Sequence, residues 1–262
     1  MKVDKFRTVI IYIIIILLGL VCLLPLLNIV AISFSSSAAV EGNMVGLIPV
    51  GFSTAAYEKI LEDSQFWHSF LISVERVVLT LIINFVLIVL MAYPLSKTNA
   101  QFRGRNIYAN LMIFAMLFNG GMIPTFLLVK SYGLLNTVWA LVLPGAVPIF
   151  NVILVMNFFA AVPKELEEAA FIDGANPLQV LTKIFIPISK PVLATVSLFS
   201  IVGSWNDFYS GLIYMSKAAY YPLMTYIQSL QINVEDLIKQ GNLSAVVDSA
   251  SLGNTNLNAA KI

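Results

Sequence analysis

The sequence predicts an all-α, polytopic transmembrane helical bundle, and three observations carry that expectation. The 262 residues are 59% apolar and only 11% charged, with a mean hydropathy of +0.88, which does not describe a water-facing surface. Four clear uncharged runs and a partial fifth suit a membrane, since a hydrocarbon core roughly 30 Å thick needs about 20 residues of helix. Lys and Arg fall into alternate connecting segments, as basic residues resist translocation.

The first run, 8–33, is broken only by Gly19, Pro25 and Asn28. Lys2, Lys5 and Arg7 precede it as in a signal peptide, but the run exceeds a signal h-region and no small-x-small site closes it. Further spans are expected at 69–93, 107–129, 138–160 and 189–214, all helical because lipid offers backbone groups no partner. Lys2, Lys5 and Arg7, then Lys97, Arg103 and Arg105, then Lys164, Lys183 and Lys190 occupy segments that alternate correctly to lie together in the cytoplasm. Residues 34–66 carry Lys59 against Glu41, Glu58, Glu62 and Asp63, which suits the outside, so the amino terminus is inside. Glu75 and Arg76 read as an ion pair at the outer edge of the second span. Residues 215–258 read as an extracellular loop. The chain turns apolar again at Ala259-Ala260-Lys261-Ile262, so the expectation is a truncation before a sixth span, with a short re-entrant or peripheral tail as the alternative.

Several chemistries are disfavoured by composition. A net charge of +1 and a pI near 7.8 argue against nucleic-acid binding. One cysteine, Cys22, excludes an intrachain disulfide or cysteine-built metal cluster, and one histidine, His68, makes a His-built metal site or a Ser-His-Asp triad unfavourable. The chain has no Gly-x-x-x-x-Gly-Lys-Ser/Thr phosphate cradle.

The most polar cytoplasmic segment, 161–190, is built as two short helices. Pro163 suits a first helical position, Glu165, Glu167 and Glu168 complement the helix dipole, and Gly174 can take the left-handed conformation that ends a helix. Asn176 caps and Pro177 opens the second helix, which Pro187 and Pro191 stop. Such a helical pair is either a docking surface for a soluble partner or an amphipathic interfacial loop.

The segment resembles the EAA loop of permease subunits of ABC importers: Glu-Ala-Ala, three residues, Gly, nine residues, Ile, any residue, Leu, Pro. Here these are Glu168-Ala169-Ala170, Gly174, Ile184, Ile186 in place of Leu, and Pro187, with every spacing kept. The runs Asn119-Gly-Gly-Met-Ile-Pro124, Leu134 to Pro144, Asn176-Pro177 and Trp205-Asn206-Asp207 resemble the carbohydrate, maltose-type oligosaccharide branch, nearest the second permease of the pair, over roughly residues 5 to 262. The resemblance implies the type I ABC importer permease fold in a bacterial cytoplasmic membrane, normally six spans in this subunit. It implies as partners a second permease, two ATPase subunits that bind ATP and Mg, an extracellular solute-binding protein and a sugar substrate; no cofactor is implied for this chain itself.

That resemblance assigns ATPase coupling to Glu168, Ala169 and Gly174, with Ala170, Asp173, Ile184 and Pro187 as neighbours. Polar and aromatic residues inside spans are the candidates for a sugar pathway, since amides, carboxylates and aromatic faces recognise polyols. These are Trp205, Asn206, Asp207 and Tyr209 in the fifth span and Asn119 in the third, with Asn84, Asn151 and Asn157 ranking lower and helix-to-helix hydrogen bonding as the competing role. Asp207 is the costliest to bury and should face the bundle interior or water. An ion-coupled secondary carrier is the main alternative, with Asp207 as its isolated intramembrane acid. A membrane enzyme lacks an evident nucleophile or acid pair, and a simple anchor would not need the spaced loop.

Overall fold

The computed structural model describes residues 5–118 and 120–239; Asn119 and the apolar end 259–262, on which the expected truncation rests, lie outside the described residues. All regular structure among the described residues is helical. The chain divides into two compact units, residues 1–67 with 226–262, and residues 68–225.

The first unit opens with α1, Lys5–Ser33. Its 26-residue stretch Thr8–Ser33 has a mean hydropathy of 3.2 and buries none of its most apolar window within the chain. A helix apolar all round and uncovered suits lipid or another membrane helix. The segment expected as an outer loop folds on itself around α2, Ser37–Glu41, and α3, Ala55–Glu62. Phe34 stacks on both Phe52 and Tyr57, and Asn28 Nδ2 donates to the Gly46 carbonyl at 2.7 Å. Tyr226 donates its hydroxyl to Asp63 at 2.7 Å, and burial together with that carboxylate pushes the phenol well above its ordinary range.

The second unit is organised by α4, Ser64–Leu95. Its buried residues Ser69, Ser73, Arg76, Thr80, Asn84, Ile88, Ala92 and Leu95 recur at steps of three or four and so form one stripe. That stripe is polar up to Asn84 and apolar beyond it, so one helix serves a polar region and a greasy core in succession. At the apolar end Ile88, Val89, Ala92 and Leu95 pack with Val152, Val155 and Phe159 of α8, Ile149–Ala160, and with Val192, Leu193 and Val196 of α12, Lys190–Asn206.

The expected spans at 107–129, 138–160 and 189–214 are not continuous helices. The first is α5, Arg105–Leu117, and α6, Met122–Ser131, with Phe118 extended and Gly121 left-handed at φ +88° between them. The second is α7, Val138–Val142, then a 3-10 turn Leu143–Gly145, then α8, with a 47° bend where Pro144 and Pro148 remove backbone donors. In the third, α12 ends at Asn206 and the chain restarts as α13, Tyr209–Tyr214. By length and composition two helices can cross a membrane, and up to five crossings result if each of three bent pairs counts as one, the third pair being Pro177–Ile188 with α12 rather than α12 with α13. Beyond α13, part of the expected extracellular loop is helical, as α14, Leu223–Lys239.

Candidate functional site: an exposed helical elbow and a polar cavity

The 161–190 segment forms two helices joined by a rigid elbow. The first, α9, is Lys164–Ile172, with Pro163 one position earlier than expected, at the cap. Gly174 takes φ +82°, its N–H donates to the Phe171 carbonyl at 3.1 Å, and the Ala175 N–H reaches back to the Ala170 carbonyl at 2.9 Å. This is the Schellman termination, and Ala170 and Ala175 complete it by packing on the core as half-buried partners. Two residues on, Asn176 Oδ1 accepts from the Gln179 N–H and Gln179 Oε1 accepts from the Asn176 N–H, both at 2.9 Å, which closes a capping box on α10, Pro177–Val180.

Pro187 does not stop this second helix. The chain widens into a π-helical stretch, Leu181–Phe185, and continues as α11, Ile186–Ile188. Proline has no N–H to satisfy the carbonyl four residues back, and a π turn is a usual way for a helix to absorb that loss. The 84° turn comes later, between Ile188 and Lys190, and Pro191 sits in the first turn of α12 rather than ending anything.

The elbow exposes Glu168, Ala169, Asp173 and Gly174 together, and Pro187 is exposed further along. Ile184 and Ala170 are half-buried against the core. A cleft of about 530 Å³ between the helices is lined by Ala170, Asp173, Gly174, Gln179 and Lys183 among others. Glu167, which sequence reasoning treated only as a dipole partner, is instead buried, and its Oε2 lies 2.7 Å from Lys97 Nζ. The signal was available in helix phase: Glu167 stands three residues before inward-facing Ala170.

The fifth-span candidates do not form one cluster. Asp207, at the break between α12 and α13, accepts from Arg76 Nη2 at 2.5 Å on Oδ2 and from the Ser210 N–H at 3.1 Å on Oδ1, while Arg76 Nη1 donates to the Asp207 carbonyl at 2.8 Å. Arg76 is 3% exposed and Glu75 is exposed, so the expected Glu75–Arg76 edge pair is replaced by a buried pair between α4 and the end of α12. Trp205 instead meets Phe70 edge-on at 5.9 Å. Asn206 is exposed and turns back to the Val202 carbonyl, and exposed Tyr209 places its hydroxyl 2.9 Å from the Met122 sulfur. Asn119 lies outside the described residues.

Asp207 does border a cavity of about 270 Å³ with Arg76, Thr80, Asn84, Asn151 and Ser200. Asn84 Nδ2 donates to Ser200 Oγ at 3.2 Å. Of these lining residues, Arg76 Nε, Thr80 Oγ1 and Asn84 Oδ1 are buried without a protein hydrogen-bond partner. The polar half of the α4 stripe thus builds this cavity. Asn84 and Asn151, ranked low from sequence, line it, whereas Asn157 is exposed elsewhere.

A membrane bundle of broken apolar helices, with a rigid exposed elbow and an internal polar cavity, has the anatomy of a transport subunit. The profile of the family described as binding-protein-dependent transport system inner membrane component matches residues 78–247, and the chain belongs to that family. Protein LplC of Bacillus subtilis (strain 168) is 42% identical over 82% of this chain and 72% of its own length. The polygalacturonan/rhamnogalacturonan transport system permease protein YtcP of the same organism is 39% identical over 92% of this chain and 83% of its own. Among solved structures, a bacterial ABC transporter involved in the import of the acidic polysaccharide alginate matches with a TM-score of 0.83 and 31% identity, over 100% of this chain and 91% of that one.

Proposed function

We propose that this chain is one of two permease subunits of an ATP-driven, binding-protein-dependent importer of oligosaccharides, and that the elbow at Glu168, Ala169, Asp173 and Gly174 is where a separate ATPase acts. The observation that carries the reading is the elbow itself. Its two helices are locked at fixed angle by a Schellman termination and a capping box, while its acidic tip is left exposed. A rigid, solvent-facing lever is what an external motor needs, since a flexible loop would absorb the displacement it is meant to pass on. The alternation of the basic segments supports a cytoplasmic side for this elbow and the amino terminus. ATP and Mg²⁺ are then bound by the ATPase and not by this chain, whose part is to switch between inward- and outward-open arrangements as the two ATPase states prefer different elbow positions.

Sugar as the transported class is supported by the named transport of the polygalacturonan/rhamnogalacturonan relative and by the polar cavity, whose lining of amide, hydroxyl and charged side chains suits hydroxyl partners. Co-purification with the cognate permease and ATPase tests the assignment, comparing wild type with Glu168→Lys and Gly174→Asp. Nothing lies within 4 Å of a Cβ built at Gly174, but its φ of +82° strains any side chain, so Gly174→Asp tests the bend of the elbow while Glu168→Lys, at an exposed helical position, tests its docking face. The expected result is retention of ATPase by wild type and its loss from both variants while the permeases stay paired. Retention in all three refutes the elbow as the coupling site.

A further inference from the structure

The cation that joins the elbow to the transmembrane body is Lys97. It lies two residues beyond the end of α4, in a turn that Arg105 pins by donating from Nε to the Leu95 carbonyl at 2.9 Å. Its ammonium meets three separate elements at once. Glu167 of α9 is 2.7 Å away, the ring of Tyr93 in the last turn of α4 has its centroid at 4.1 Å, and the ring of Phe185 in the π-helical stretch has its centroid at 4.2 Å. Tyr93 and Phe185 meet edge-to-face at 5.1 Å, and Phe159 of α8 braces Phe185 from behind at 5.4 Å. Both charged side chains are 11% exposed.

Holding an ammonium there is costly. Burial lowers the Lys97 pKa and Glu167 only partly restores it, so the site does not exist because it is the cheapest way to pack. An apolar pair of similar volume often stabilises a fold as well as a buried ion pair or better. What an apolar pair lacks is direction: methylenes slide past one another, whereas an ion pair seated between two ring faces fixes one register of α9 against the end of α4 and the π-helical stretch.

We infer that Lys97 and Glu167 are positioning residues that transmit displacement of the elbow to α4, so that their loss uncouples ATP hydrolysis from transport. The inference rests on the ATPase-coupled reading above. Its test uses the whole complex, with cognate permease, ATPase and binding protein in proteoliposomes, and reads substrate uptake per ATP hydrolysed. The informative variant is the double change Lys97→Met with Glu167→Leu, which removes both charges and leaves neither one stranded. It should unfold no more easily than wild type and keep its ATPase bound, yet uptake per ATP should fall about tenfold, within the usual range of intersite coupling. Lys97→Arg alone, with Glu167 kept, should hold uptake per ATP at the wild-type level, since a guanidinium can both pair with Glu167 and stack on the rings.

Unchanged uptake per ATP in the double variant overturns the inference. So does a fall that merely follows loss of ATPase from the complex, or one that Lys97→Arg shows equally, for either marks a purely structural pair. If wild-type complex shows no ATP-dependent uptake, the functional reading itself fails and the inference falls with it, a result distinguished by the wild-type arm alone.

Discussion

Removing the charge of Asp207 should destabilise the second unit more than removing the charge of Arg76, although the two belong to one ion pair. The asymmetry follows from burial: the Arg76 side chain is 4% exposed and that of Asp207 29%. Asp207→Asn strands a guanidinium inside the protein, and breaking a buried pair from one side costs about 3–5 kcal/mol. The main-chain carbonyl of residue 207 still accepts from Nη1 at 2.8 Å, and an amide oxygen can still face Nη2, so the lower end, about 3 kcal/mol, is expected. Arg76→Met leaves a carboxylate with partial access to solvent and with the Ser210 N–H still on it at 3.1 Å. That loss should be about 1–2 kcal/mol, the scale of hydrogen bonds to a charged group. The double variant has no stranded cation and should resemble Arg76→Met, giving a non-additivity of about 3 kcal/mol, the whole cost of Asp207→Asn. Unfolding of the purified chain in mixed micelles with a rising fraction of denaturing detergent, followed by circular dichroism, measures all three. Additive effects, or an Asp207→Asn variant no weaker than Arg76→Met, would refute the assignment of this pair as a buried contact.

Two further outcomes follow from local geometry. Burial lowers the Lys97 pKa below its usual 10.5 and Glu167 opposes that shift, so Glu167→Gln should lower it further. Because the unfolded chain then holds more protons between the lowered value and 10.5, stability should rise with pH across that window, more widely in the variant, and the pH dependence of lysine reductive methylation reads the shift. Gly211→Ala should cost about 1–3 kcal/mol in the same unfolding assay, since a Cβ there would run into Oγ1, Cβ and Cγ2 of Thr225, whose hydroxyl is held by the Phe208 carbonyl at 2.9 Å.

How much of this architecture was visible in the chain depends on the distance over which each feature is determined. The elbow was legible nearly whole, because Gly174, Asn176 and Pro177 act within one turn of themselves and a single local solution satisfies them. The breaks inside the third, fourth and fifth spans were not. Hydropathy sees only that residues are apolar, and Gly and Pro are tolerated inside membrane helices when surrounding groups make good the lost bonds. The partner of Arg76 was hidden for a different reason: its true acid is 131 positions away, while Glu75 beside it offered a plausible false one. Side chains at consecutive helical positions point about 100° apart, so a buried Arg76 and an exposed Glu75 are what helix geometry requires once either is placed. The same phase rule would have separated buried Glu167 from exposed Glu168.

The Arg76–Asp207 pair also bears on how the protein is energised. A carrier that moves solute against an ion gradient needs an intramembrane group free to exchange its proton or ion as the protein changes state. Within the candidate helices among the described residues, the acids are Glu75, which is exposed on α4, and Asp207 at the end of α12. Asp207 has one oxygen on a guanidinium and the other on a backbone N–H that opens α13, so releasing it would strand Arg76 and unpin the helix break together. Those contacts make it a joint rather than a relay. The elbow, by contrast, presents an acidic tip to solvent on a frame stiffened at both ends, and its buried neighbour Glu167 reaches the end of α4 through Lys97. Work delivered at that tip has a physical route into the helices that line the polar cavity, and a variant that keeps the cavity intact while losing Lys97 would separate the route from the destination.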